Sequence, residues 1–433
     1  MKTPSADWKK KTFLFMVSQA VSLFGSSLVS YAILWRITLD TQSGFILSLY
    51  LLFGFLPTFF LSPFAGVWAD RYDRRRLIML ADGGIAAVTA LLAVLFRAGY
   101  RDLWLFFVIP LFRALGSAVQ TPAVSAVLPQ IVPADRLMKT NGLFASLNSG
   151  ILLVSPMVGG ALLNLTSLEL ILMIDVVTAI IAILVMLSLK VPVPVRTEAE
   201  SGRKYRQDLI DGIRYIRRHS YIGRFFIYIT FLFILVTPVA MLTPLQVARS
   251  FGDDVWRLTA IEVVFSGGMF AGGLLIASWG GFRNRIRTMA LSTLMAGVAA
   301  VVLGVVTDFR IYLGIMTVTG LTLPFFNTPA TVLLQEKVEP EYLGRVFGVM
   351  GMIASGVMPT AMFVFGPLAD RIRIEWLLIG SGVLLTVLAG GLTASKALLA
   401  AGEPAVAAVT RAPVRKPVRI RTDCPLGQPD CPQ

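Results

Sequence analysis

Twelve runs of mostly apolar residues, each long enough to cross a bilayer as a helix, follow one another along this chain and leave it few ways to fold. A spanning helix needs about 20 such residues. The runs lie at 13–35, 44–67, 77–97, 103–124, 140–163 and 168–189, then at 221–246, 258–279, 287–307, 311–334, 346–368 and 375–395. Of the 433 residues 56% are hydrophobic and 15% charged, and the mean hydropathy of +0.75 exceeds that of ordinary water-soluble domains. The solvent for most of the chain is therefore lipid, and the fold class is an all-α membrane protein with twelve transmembrane helices. No small-residue cleavage site follows the first run, so it reads as a spanning helix and not as a removed signal peptide.

The net charge of +14 is a matter of topology, not of a nucleic-acid partner. A nucleic-acid site gathers basic residues on one folded face, whereas here they form short clusters between apolar runs. Lys9 to Lys11, Arg71, Arg74 to Arg76, Arg136, Lys139, the basic run of 190–218, Arg283, Arg285, Arg287, Lys337, Arg345 and the tail all fall on one side. The other side holds Arg36, Arg97, Arg101, Arg249, Arg257, Arg310, Arg371 and Arg373. Positive charge marks the cytoplasmic side, which puts both termini in the cytoplasm, next to an anionic lipid surface.

The longest internal loop divides the chain into two six-helix halves, 1–190 and 221–396, joined by a cytoplasmic segment at 191–220. Within that segment 191–206 is rich in Pro and charge and reads as linker. Leu209, Ile213 and Ile216 have the spacing of a helix lying along the membrane surface. Residues 397–433 read as a disordered cytoplasmic tail. The halves carry traces of duplication: Thr121-Pro122-Ala123 recurs as Thr328-Pro329-Ala330, and Val132, Asp135, Leu137, Lys139 and Gly142 recur in spacing as Val338, Glu341, Leu343, Arg345 and Gly348. Two related halves imply a substrate site between them near mid-membrane, worked by rocking.

The chemistry available is narrow. Cys424 and Cys431 both lie in the tail, and His219 is the single histidine, beside Arg217 and Arg218 in a loop. No metal-ligand cluster, membrane-embedded catalytic constellation or phosphate-binding Lys loop is present, so no enzyme activity, metal or cofactor is expected. Charges within the apolar runs are costly, and are functional candidates by default. Arg113 lies about halfway along the fourth helix, and the alternative is an arginine satisfied by helix carbonyls. Membrane acids are natural proton carriers. Glu262, within the eighth run, is placed to couple protons or to bind a cationic substrate. For Asp175 and Asp82 pairing with backbone or a loop arginine competes with proton coupling. Gln19 and Ser22 of the first helix, Thr237 of the seventh and Asn327 of the tenth are candidates to line a cavity with few fixed polar contacts, against the alternative of helix–helix hydrogen bonding. Phe325, Phe326, Tyr31 and Trp35 could stack on a ligand or anchor an interface.

Between the second and third runs stands Gly66-Val-Trp-Ala-Asp70-Arg71-Tyr-Asp-Arg74-Arg75-Arg76, which suits a latch. The glycine permits close helix approach, the acid accepts hydrogen bonds, and the arginines sit at the interface; a plain positive-inside turn is the alternative. Gly66, Asp70, Arg71, Arg74 and Arg75 resemble the signature loop of the major facilitator superfamily. FRALGSAVQTPAVSAVLPQIVPADRL (112–137), MIDV (173–176) and QEKVEPEYLGRVFG (335–348) resemble its macrolide-efflux branch of bacterial drug:proton antiporters. The resemblance implies the major facilitator fold, a monomer in the bacterial inner membrane, and proton-driven export of amphipathic antibiotics. It also implies a proton-coupling role for Arg113, followed by Gly116, although the family's usual glutamine before that glycine is missing. Export of a siderophore or peptide, and a lysophospholipid flippase or importer, are the alternatives on the same fold.

Overall fold

The computed structural model describes residues 8–133, 136–189 and 213–403, and among these the regular structure is entirely helical. In the first half α1 is Trp8–Thr41, α2 Gly44–Arg71, α3 Arg74–Arg97, α4 Leu103–Ile131, α5 Leu137–Leu165 and α6 Leu168–Ser188. In the second half α7 is Ser220–Ser250, α8 Val255–Trp279, α9 Arg285–Leu303, α10 Phe309–Lys337, α11 Pro340–Arg371 and α12 Ile374–Ala394, followed by a short α13, Lys396–Ala401. Twelve of these are long and apolar enough to cross a membrane.

Most helices outrun the apolar stretches that signal them. Hydropathy marks the part in hydrocarbon, whereas the backbone stays helical until a cap ends it. Thus α1 begins at Trp8 and carries Lys9, Lys10 and Lys11 on its first turn. Asp73, Asn284 and Asp308 each cap a helix by accepting from a backbone N–H inside it, Asp308 from Arg310 at 2.7 Å. In the opposite sense α9 stops at Leu303, short of the expected 307, because Gly304 turns the chain there.

Helices α1–α6 pack chiefly with one another, and so do α7–α12; the halves meet where α2 crosses α11, where α5 crosses α8, and more lightly between α1 and α7. Close approach within the halves rests on small residues. A Cβ at Gly116 of α4 would run into Ile85 of α3, and one at Gly268 of α8 would meet the backbone of Thr317 in α10. Large apolar side chains such as Leu80, Leu91, Phe60, Leu184, Phe270 and Val387 are exposed, as suits an outer surface bathed in lipid.

The face holding the start of α1 and the end of α12 is called proximal here, and the opposite one distal. On the proximal face, residues 213–218 form a helical turn whose Tyr215 and Ile216 are buried, with the Tyr215 ring stacked 4.4 Å from Tyr342. This turn is docked on the second half instead of lying free along a membrane surface; 190–212 lie outside the described residues. His219 hydrogen-bonds the Tyr215 carbonyl through Nδ1 at 3.0 Å. The expected disorder after 396 does not begin there. Asn284 donates to the Leu399 carbonyl at 2.8 Å and the Arg285 N–H to that of Gly402 at 3.0 Å, which fastens α13 to α9. The rest of the tail, with Cys424 and Cys431, lies outside the described residues.

Candidate functional site

Two of the intramembrane charges of the first half, Arg113 and Asp175, are paired with each other. Arg113 of α4 donates from Nη1 to Asp175 Oδ2 of α6 at 2.8 Å, with 8% and 2% of the two residues exposed. Asp175 is also close to α1: its Oδ1 lies against Gly25, where a side chain would crowd it and Thr178. A guanidinium at this depth needs a counter-charge, and Asp175, not a helix carbonyl, supplies it. Arg113 Nη2 is buried without a hydrogen-bond partner, so the ion pair satisfies one edge of the fork.

A second buried acid is held by neutral donors. Asp82 of α3 accepts at Oδ1 from Ser22 Oγ of α1 at 2.7 Å and from Gln120 Nε2 of α4 at 2.9 Å. Three helices thus converge on one carboxyl. Ser22 and Gln120 also line a cavity of about 270 Å³ among α1, α4 and α5, together with Gln19, Ser26, Ser117 and Asn148. Gln19 Nε2 is buried in this region with no partner. Asp82 therefore sits one side chain behind a polar cavity wall, reachable through a serine and a glutamine that can both donate and accept.

Glu262 contrasts with both. It is half-buried in α8, and among the described residues it has no hydrogen-bond or ion-pair partner. One turn before it, Thr259 packs on Gly160 of α5, and Tyr31 of α1 lies within electrostatic reach. The tilted Tyr31–Trp35 pair, 5.5 Å between ring centroids, stands beside this crossing of the halves. An uncompensated carboxyl here can accept a proton or face a cation brought to it.

Between α2, α7 and α11 lies a larger cleft of about 610 Å³, lined by Phe59, Ile234, Met352, Val357, Thr360 and Phe365 among others and almost wholly apolar. Its depth at Gly356 is set by Phe59, whose ring carbons would be 3.5 Å from a Cβ at that position.

Two expected cavity residues are used differently. Thr237 is fully buried and donates to the Phe233 carbonyl of its own helix at 2.7 Å, so its hydroxyl is consumed by α7 itself. Asn327 is exposed on α10 outside the cavities described above, and Phe325 and Phe326 are buried. In the signature loop, the surroundings of Gly66 and the side chains of Asp70 and Arg71 lie outside the described residues. The two arginines after them do more than rest at the interface. Arg74 donates to the carbonyls of Ala69 and Ala126, both at 2.9 Å, and Arg75 to that of Leu187 at 2.5 Å, tying the start of α3 to the ends of α2, α4 and α6. Gln120 was not singled out by sequence, although it lies within the 112–137 stretch that carries the resemblance.

The model of the Major Facilitator Superfamily matches residues 15–361. The macrolide efflux protein A of Streptococcus pyogenes is 32% identical over 387 residues, 88% of this chain and 95% of that protein. The staphyloferrin A transporter of Staphylococcus aureus is 26% identical over 324 residues, 73% of this chain and 78% of that one. Among solved structures the nucleoside transporter NupG superposes with a TM-score of 0.65 at 14% identity, covering 90% of this chain and 98% of that one. Two packed halves of six helices, a buried charge pair in the bilayer region and a family match across most of the sequence make this chain a member of the Major Facilitator Superfamily, a multi-pass membrane transporter.

Proposed function

We propose that this transporter exports amphipathic, macrolide-like compounds from the cytoplasm or inner leaflet of a bacterial plasma membrane, driven by protons entering in exchange. The proximal face is the cytoplasmic one, by the excess of Lys and Arg there, and the protein works as a monomer with no metal or organic cofactor. The observation that carries the reading is Glu262: a carboxyl in a membrane-spanning helix, without a partner, at the crossing of the two halves. Such a group is stable with one positive charge beside it or with a bound proton, and it holds one of the two at a time. A proton from outside neutralises it, the halves rock to face the cytoplasm, and arrival of an amphipathic cation releases the proton inward. The apolar cleft supplies contact area for a large greasy body. Asp175, paired with Arg113, and Asp82 form a second group of protonatable sites within the first half. The kinship with macrolide efflux protein A over 88% of the chain supports this choice of cargo.

The test is accumulation of a labelled macrolide, beside dyes and siderophores, in efflux-deficient cells with and without the protein, before and after collapse of the proton gradient. Lowered accumulation that disappears with the gradient is the expected result. No change across the panel would refute the proposal. The apolar cleft between α2, α7 and α11 favours one second reading, a flippase for lysophospholipids, which a fluorescent-lysolipid transfer assay in proteoliposomes distinguishes.

A further inference from the structure

We infer that Asp370, at the distal end of α11, is the bolt of a second conformational latch, which holds the distal face shut and repeats at that face the chemistry of the signature loop at the proximal one. The sequence itself carries the repetition. Gly66-Val-Trp-Ala-Asp70-Arg71 ends α2, and Gly366-Pro-Leu-Ala-Asp370-Arg371 ends α11. Both helices stop at the arginine, and in both the next helix starts three residues later, at Arg74 and at Ile374. One six-residue pattern, alike at four positions (Gly, Ala, Asp and Arg), thus closes two helices that run in opposite senses and pack against each other. That arrangement follows when the inverted repeats within each half of such transporters, which pair the second helix with the fifth, are combined with the parallel repeat of the two halves, which carries the fifth onto the eleventh.

What the motif does is visible at Asp370. Its Oδ1 accepts from the Gly44 N–H at 2.7 Å, and its Oδ2 accepts from Ser43 Oγ at 2.8 Å and from the Phe45 N–H at 2.9 Å. A carboxylate of the second half therefore caps the N-terminus of α2, a helix of the first half, where unpaired N–H groups and the helix dipole favour an anion. Arg249 at the end of α7 clamps the same point: it donates to Asp370 Oδ1 at 2.7 Å, to the Ala369 carbonyl at 2.6 Å and to the Gln42 carbonyl between α1 and α2. The helices touch backbone to backbone below the cap, since a Cβ at Gly44 or at Gly366 would collide with the carbonyl of the other. Between pairs of described residues, the hydrogen bonds that join one half to the other all belong to this cluster.

The cluster has to come apart whenever the distal face opens, because three of its bonds tie α11 to α2 directly. Asp370 is a positioning residue: it weights the two states without touching cargo. By the repeat, Asp70 at the proximal end of α2 does the same for the opposite state, so the two acids bias one equilibrium in opposite directions.

The experiment needs neither cargo nor proton gradient nor a known sidedness, so its failure is separate from failure of the proposed function. Ser48 of α2 is fully buried against Gly366. In a background with Cys424 and Cys431 changed to Ser, Ser48→Cys in nanodiscs is labelled with a water-soluble maleimide that reaches both faces. Asp370→Asn is expected to raise the labelling rate roughly tenfold, the effect of losing one charge-assisted hydrogen bond from the closed state, and Arg249→Gln to raise it in the same direction. Asp70→Asn is expected to slow it severalfold. Unchanged labelling in both Asp370→Asn and Arg249→Gln, with monodisperse protein, would overturn the latch; acceleration by Asp70→Asn would overturn the opposition of the two acids.

Discussion

Replacing Asp175 by Leu leaves the Arg113 guanidinium in the bilayer region with its remaining counter-charge gone, and the cost can be worked out from the pair's geometry. The two side chains are 10% and 2% exposed and meet at 2.8 Å, and Arg113 already has one nitrogen without a partner. Removing one member of a buried pair costs about 3–5 kcal/mol. Asp175→Leu should lie at the upper end, because a guanidinium keeps its charge at any accessible pH. Arg113→Met should lie at the lower end, because a stranded carboxyl can take up a proton. At ~2 °C per kcal/mol, the low end of the range for mid-sized domains, the apparent midpoint falls by about 10 °C for Asp175→Leu and by about 6 °C for Arg113→Met. The double variant Arg113→Met/Asp175→Leu removes both charges together and should recover most of that loss. The seven tryptophans provide the signal, in thermal scans at one fixed rate since unfolding of such a protein is under kinetic control. A double variant that melts as low as Asp175→Leu would refute the reasoning, since the two side chains would then not be compensating each other. Transport should stay low in the double variant despite its restored stability.

Glu262→Gln should leave the protein folded and unlink transport from the proton gradient; the check is the ratio of efflux before and after an uncoupler, which should approach one. Ser22→Ala and Gln120→Ala each strip one donor from Asp82, and each should lower stability by about 1–3 kcal/mol, the cost of a lost hydrogen bond to a buried charged group, as read by the midpoint of tryptophan fluorescence. Gly356→Leu fills the apolar cleft against Phe59 and should depress efflux of large cargo more than that of small dyes, measured side by side in the same cells. Thr237→Val should leave efflux within twofold of the parent, because its hydroxyl is spent on the Phe233 carbonyl.

The number, order and pairing into halves of the helices were legible because a hydrocarbon solvent writes each helix as a long apolar run. The ends were not, since Lys9 to Lys11 in α1 or Arg371 in α11 sit on helical turns already outside that solvent. Arg113, Asp82 and Asp175 stood out as charges inside apolar runs, but their partnerships depend on which helices come together, and single-helix spacing carries no such information. Gln120 stayed hidden because one glutamine in a polar-flecked helix looks like any other. For Thr237 cavity lining and helix hydrogen bonding stayed open for a related reason. A polar residue on a spanning helix can serve its own backbone, as Thr237 does, and only the packed structure shows it. Arg249 counted only as a charge on the sparser side and Asp370 was not singled out; their value lies in a contact between segments more than a hundred residues apart.

The placement of the buried charges settles which part of the transport cycle they can govern. Arg113, Asp175, Asp82, Ser22 and Gln120 all belong to helices of one half, so when the halves tilt these groups travel together like passengers in a single carriage, and none of their bonds is stretched. Under the proposed proton exchange, substitutions among them alter proton uptake and the stiffness of the carriage, while the tempo of tilting is set where the carriages couple. The two properties can drift apart in evolution: the cargo face can be rebuilt for a new compound without disturbing the mechanism that times its release.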